Sequence, residues 1–410
     1  MNNGKKEDEK IKWHEKLYTR MALVTIAAVV IPALIIGFIA ISKSRDALFS
    51  RVEAAQSETV KTLKNQVESF LSGARGDVLF LSRSPLFRAL LRAGSAAGNK
   101  NLAQLRRQVG EEFLAFSENR GFYYQVRYID EKGMEIVRVD NDGKNSYIVP
   151  HDRLQDKSGR GYFREASVKE NGALYVSALD LNREQGQVEV PYKPVIRYAT
   201  PVFYPGNEKK RGGIVITNIY ARFFLEPLWN AGETDIYMVK NDGSFAAHPD
   251  KEKMWGSPED LSHGAGLNKE FPLLAEEAAA AAGGQLRAGK NYFTFQHIIQ
   301  AGTPIKWLLA GGQPLAEIMS VVNKFTMIFA GITAVLVLLF IFAAMWFAST
   351  ITRPVERLTG VADKVSMGDL DVQVESKSKG EIGKLEGAVE RMRISMVLAM
   401  KRMKKMSAKK

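Results

Sequence analysis

Two stretches without a charged residue bracket this chain: 22 residues between Arg20 and Lys43, and 28 between Lys324 and Arg353. A membrane-crossing helix needs about 20 mostly apolar residues to span roughly 30 Å of hydrocarbon. Both stretches qualify, at residues 21–42 (MALVTIAAVVIPALIIGFIAIS) and residues 325–350 (FTMIFAGITAVLVLLFIFAAMWFAST). A cleaved signal peptide is the other reading of the first stretch, but the apolar region of such a peptide runs only ~7–15 residues. Pro32 and Gly37 are compatible with a membrane helix. The pattern predicts two spans with residues 43–324 held between them.

The distribution of charge orients those spans. The net charge is +12, yet residues 1–20 carry six Lys/Arg against four Asp/Glu, and residues 351–410 carry fourteen against eight. Basic residues next to spans mark the cytoplasmic side, so both termini are expected inside and the large middle region outside, in a bacterial inner membrane. The basic tail at 404–410 is expected to lie near anionic inner-leaflet lipid. Membrane targeting accounts for the basicity, and a nucleic-acid partner is not expected. The absence of cysteine fits an exported domain that uses no disulfide framework.

The region outside exceeds one average domain. Leu48, Val52, Ala55, Val60, Leu63, Val67, Phe70 and Leu71 recur every three to four residues, which predicts a long helix leaving the first span. Two occupants suit that stripe: the same helix of a second copy, or the helix's own domain. A second helix is expected over 101–117. Residues 122–130 (FYYQVRYID) and 134–140 (MEIVRVD) flank a turn and predict a hairpin, with further strands at 173–177, 195–202 and 213–219. A weaker repeat follows: strands at 237–240 and 245–248 around Asn241-Asp242-Gly243, then 292–297 and 305–310. The expected class is α+β, with tandem antiparallel modules at about 75–225 (distal) and 230–312 (proximal).

A membrane-exiting helix followed by two such sheets and a return to the membrane resembles the double Cache, PAS-like sensor domains of bacterial receptors. The resemblance is carried by LQDKSGRGYFREA (154–166), YVSALDLN (175–182), PYKPVIRYATPVF (191–203) and GGIVITNI (212–219). In that family an Arg-x-aromatic-aromatic segment and a later acidic residue line the distal pocket. The matching positions are Arg160, Tyr162, Phe163 and Asn218. A guanidinium offers a fork to a carboxylate, and aromatic rings give rigid walls. Relatives that bind amino acids use a carboxylate for the ligand ammonium, which Asn218 does not supply. A carboxylate or neutral polar metabolite is therefore the expected ligand. Lys157, Tyr175, Arg197 and Tyr198 are further candidates. His151, His248 and His263 lack metal-ligand spacing and no nucleophile motif occurs, so no metal, cofactor or catalytic role is expected.

After the second span, Val355, Leu358, Ala362 and Val365 form one short heptad stripe, and Ile382, Leu385, Val389, Met392, Met396, Ala399 and Met403 form another. Met367-Gly368-Asp369-Leu370 lies between them. Two short amphipathic helices joined by a connector resemble a HAMP linker over 351–403, with Pro354 opening the first helix and Glu381-Ile382-Gly383 opening the second. The resemblance implies a two-chain, four-helix bundle that relays a change of packing. Pro354, Leu358, Leu370, Glu381, Ile382, Leu385, Val389 and Met392 are its expected relay residues. No histidine follows His297, so a kinase output within this sequence is not expected; either the sequence is the front part of a larger receptor, or a separate cytoplasmic protein carries the output. The expected function is a homodimeric membrane sensor for a small ligand. The alternatives are a two-span envelope scaffold, or a modulator that forms mixed dimers with full-length receptors.

Overall fold

The computed structural model describes residues 17–95, 101–184, 186–207, 209–232, 234–375 and 378–407. Most of the basic N-terminal segment, and the last three residues of the basic tail, lie outside the described residues. The chain forms two compact units, one of residues 48–318 and one joining the N-terminal residues up to 47 with 319 onward.

The first helix, α1 (Leu17–Arg83), is 67 residues long and unbroken. Within residues 48–318 its apolar stripe is occupied by its own domain: Val60, Leu63, Val67, Leu71, Ala74, Val78 and Leu81 are all buried in one core. The three- and four-residue spacing of those side chains places them on one face, and from Val60 onward that face is closed within a single chain, whereas Leu48 and Val52 are half-buried and Ala55 is exposed. Then come α2 (Pro85–Ser95) and α3 (Leu102–Arg120). α3 is stopped by Gly121, whose φ of 70° suits a left-handed cap.

The distal sheet follows. It comprises β1 (Tyr123–Ile129), β2 (Glu135–Asn141), β3 (Ser146–Ile148), α4 (Gly161–Ser167), β4 (Tyr175–Val176), β5 (Asp180–Leu181), the small hairpin β6 (Arg183–Glu184) and β7 (Gln187–Val188), β8 (Pro194–Phe203) and β9 (Arg211–Tyr220). The strand order is β3-β2-β1-β9-β8-β4, with β5 also on β8. Side chains alternate across a strand, so Val126, Tyr128, Ile196, Tyr198, Val215 and Ile219 enter the main helix-covered core. Ile129, Ala199, Ile214 and Ile216 pack with Phe163 and Ala166 of α4 on the other face. This second face carries the candidate site.

The proximal module contains α5 (Arg222–Trp229), β10 (Asp235–Val239), β11 (Phe245–Ala247), α6 (Leu267–Glu270), α7 (Pro272–Ala280), β12 (Gly283–Ala288), β13 (Asn291–Ile299) and β14 (Lys306–Pro314). Its order, β11-β10-β14-β13-β12, repeats the distal run of second, first, last and penultimate strand, with β12 in the place of β4. β12 escapes the strand signals because its glycines lack β propensity. They are there for space: a Cβ on Gly283 would lie 3.0 Å from the Phe295 carbonyl, and one on Gly284 3.2 Å from the Phe295 ring.

The second unit holds most of α8 (Leu315–Phe347), a π-helical turn (Ala348–Thr352), α9 (Arg353–Ser366) and α10 (Gly380–Ser407). Two helices are long and apolar enough to cross a membrane. Leu34, Ile36, Phe38, Ile328, Leu339 and Phe342 on them are exposed, as lipid-facing side chains are. A Cβ on Gly37 would lie 2.0 Å from the Phe329 ring, so glycine is what lets these helices approach.

Candidate functional site

At the centre of the α4-side face of the distal sheet lies Arg127, only 3 % exposed. Its guanidinium faces Glu135 Oε1 at 3.3 Å and the Tyr162 hydroxyl at 3.3 Å, and donates to Asn218 Oδ1 at 3.0 Å. Asn218 in turn donates to Gln125 Oε1 at 3.1 Å. The register brings these residues together: Gln125 on β1 is opposite Asn218 on β9, and Arg127 is opposite Arg138 on β2. A bulge at Tyr128/Ile129 accompanies the placement of Glu135 on this face. Glu135 also meets Arg138 at 3.5 Å and accepts the Gln155 amide at 3.1 Å. The Tyr162 ring stacks over the Arg127 guanidinium, 5.4 Å from its centroid. Among the described residues Arg127 Nε, which is buried, has no hydrogen-bond partner, a costly state for a cationic donor.

Among the described residues the cations Arg127, Arg138, Lys157, Arg160 and Arg197 face the carboxylates Glu135, Asp140, Asp180 and Glu165, an excess of one. Arg127, Arg138 and Lys157 are drawn around Glu135 and Asp140, and Arg160 lies within electrostatic reach. Burial pushes the Lys157 ammonium below the usual lysine value; Glu135 opposes this, and Arg127, Arg138 and Arg160 add to it.

Of the residues expected from sequence, Lys157, Tyr162, Phe163, Tyr175, Arg197 and Asn218 lie on this face. Tyr175 packs at the edge of the α4 cluster, and burial pushes its hydroxyl up. Arg197 donates to Asp180 at 3.0 Å. Arg160 occupies the N-cap position of α4 with its side chain exposed. Tyr198 is on the opposite face, fully buried, its hydroxyl donating to Gln300 Oε1 at 2.7 Å. Arg127, Glu135, Gln125 and Arg138 were not among the expected site residues. The available signal was polar alternation in the β1–β2 hairpin, which an open solvent-facing sheet also shows.

Pro354 sits in the first turn of α9, and Leu358 and Val365 are buried. Gly368, with φ 94°, ends the helix. The connector is held to α10 by three residues the heptad reading passed over. Glu386 accepts from the Ser378 amide at 2.9 Å and from Arg357 at 2.6 Å. Glu390 accepts the Val374 amide at 3.0 Å, and Arg393 donates to the Leu370 carbonyl at 2.6 Å. Glu381 is exposed, Ile382 and Val389 are half-buried, and Leu385 and Met392 are exposed although apolar.

The family model described as "Bacterial histidine kinase, sensor domain" matches residues 98–304, and the HAMP domain model matches residues 346–397. No curated protein matches the chain. Among solved structures, a domain assigned to a sensory box/GGDEF family protein of Vibrio parahaemolyticus is 20 % identical with a TM-score of 0.52, covering 67 % of this chain and 96 % of its own. The extracellular domain assigned to a histidine kinase, vpHK1S-Z8, is 20 % identical with a TM-score of 0.51, covering 68 % and 94 %. The sensory domain of the Campylobacter jejuni chemoreceptor Tlp3 is 14 % identical with a TM-score of 0.44, covering 67 % and 98 %. A sensor domain, two candidate spans and a HAMP region make this a bacterial membrane sensor that relays signals, and the chain belongs to the bacterial histidine kinase sensor-domain family.

Proposed function

We propose that the distal module binds a small carboxylate or neutral polar metabolite on the α4 side of its sheet. The observation that carries this reading is the buried Arg127 network, in which, among the described residues, cations exceed carboxylates and one donor has no acceptor. A ligand carboxylate would meet Arg160, Lys157 and Arg197 as charge-assisted donors. An ammonium would meet like charge. Asn218 is already engaged by Arg127 and Gln125, and its amide carries no negative charge to hold an amine.

Ligand binding shifts an equilibrium only by its differential affinity for two states. In this reading the two states differ in the packing of the spans and of α9 and α10. Leu385, Met392 and Met396 are each at least 40 % exposed, and a second copy covering that seam would make the working unit a homodimer. Both termini face the cytoplasm, and a separate cytoplasmic protein receives the signal from α10. The test is a thermal-shift screen of the full chain in nanodiscs against organic acids, amino acids, amines and sugars. A ligand at 100 times its Kd stabilises by about 2.7 kcal/mol. The expected hit is an acid or neutral polar compound whose shift is lost in Arg160→Ala, an exposed and fold-neutral site. Hits confined to compounds with a free ammonium would overturn the ligand class.

A further inference from the structure

Residues 177–182 touch both modules. Ser177 Oγ accepts the Arg197 amide at 3.0 Å, and Asp180 accepts from the Arg197 guanidinium at 3.0 and 3.4 Å. One residue on, the Leu181 amide donates to Oδ1 of Asp260, in the proximal module, at 2.8 Å. Asp260 is wholly enclosed, and its other oxygen accepts from Lys240 at 2.6 Å and Ser257 at 2.8 Å. Arg183 adds two bonds to the Glu259 carbonyl, at 2.6 and 3.1 Å. Adjacent residues therefore join an arginine on the candidate-site face to the buried ion pair of the other module.

Three features make this junction able to move. β5 is two residues long and pairs with β8 at Asp180–Val195 and Leu181–Pro194; the Ser177 amide donates to the Arg197 carbonyl and the Asn182 amide to the Lys193 carbonyl on either side, and Leu179 and Leu181 anchor the segment in the core. The proximal loop that carries Asp260 holds Trp255 at φ 62° and Ser262 at φ 60°. These are left-handed conformations that cost free energy in non-glycine residues and persist only where the surroundings hold them. A cavity of about 240 Å³ beside the segment is lined by Ser177, Ala178, Leu179, Lys240, Ile305 and Trp307, among others. Burial also pushes the Asp180 carboxyl up, with Arg197 opposing the shift.

We propose that residues 177–182 are a lever between the modules. A ligand anion that draws the Arg197 guanidinium away releases Asp180, β5 moves into the adjoining space, and the Leu181–Asp260 tether on the strained proximal loop is lost. This rests on the ligand reading above, but its test needs no ligand. The full chain in nanodiscs is compared by hydrogen–deuterium exchange with Arg197→Gln and Arg138→Gln, at opposite sides of the same cluster. The readout is the exchange rate over 255–264 divided by that over β13 and β14, which removes any global loss of stability. Arg197→Gln raises this ratio about fivefold or more, and Arg138→Gln leaves it at the wild-type value. A ratio unchanged in Arg197→Gln, or raised equally by both variants, overturns the lever. A failed ligand screen bears only on the ligand class, and an unchanged ratio only on the lever.

Discussion

Replacing Asp260 with alanine removes one carboxylate that serves three donors: Lys240 Nζ at 2.6 Å, Ser257 Oγ at 2.8 Å and the Leu181 amide at 2.8 Å. Lys240 is 6 % exposed and Asp260 0 %, so the lysine would be left charged in a dry site. Removing one partner of a buried pair costs about 3–5 kcal/mol. Asp242 lies 3.3 Å from Lys240 Nζ and is 42 % exposed, so part of the charge stays neutralised and the lower end, about 3 kcal/mol, applies. For a unit of this size each kcal/mol lowers Tm by about 2–4 °C, which gives a fall of roughly 6–12 °C. Near-ultraviolet circular dichroism of the full chain in nanodiscs reads it. Asp260→Asn, which keeps an acceptor for Leu181, falls by less. Lys240→Met combined with Asp260→Leu recovers part of the loss, because no buried charge remains. A fall below about 2 °C for Asp260→Ala would refute the reasoning, because the pair would then be open to water.

Two further outcomes concern the relay region. Bonds from Arg393 and the Val374 amide hold the Glu390 carboxyl down at about 2, from an ordinary 4.5. A depressed value means the stabilisation is fully present above pH 4.5 and is lost as pH falls toward 2. The distance between spin labels at 373 and 397 should therefore hold from pH 8 to 5 and broaden toward pH 2–3; broadening already at pH 6 would contradict this. Leu385→Glu or Met392→Glu should weaken self-association in analytical ultracentrifugation while leaving the unfolding of residues 48–318 unchanged. Unaltered association would exclude this seam as the dimer contact.

The spans, both sheets and the paired relay helices were legible because each rests on a local pattern: an uncharged run, strand alternation around a turn, or a heptad. The occupant of the α1 stripe was not, because one sequence does not say whether Val60, Val67 and Leu71 meet a second copy or their own sheet. The Arg127 network was hidden for a related reason. Arg127 and Asn218 are 91 residues apart, and their meeting depends on the register of β1 with β9. Arg197 and Tyr198 illustrate the converse. Neighbours on a strand face opposite ways, so the alternation alone separates them, and Tyr198 belongs to the helix-side core. Glu386, Glu390 and Arg393 looked like solvated charges beside a seam, yet they carry the connector's hydrogen bonds.

The central claim is that a ligand outside changes helix packing inside. It is tested most directly by placing one spin label at position 399 on α10 and measuring the distance between copies in nanodiscs, with and without a carboxylate hit at saturation. A shift of about 1–2 Å or more in the distance distribution, abolished in Arg160→Ala, is the predicted result. A compound that binds and stabilises the outer domain while leaving that distribution unchanged would contradict it.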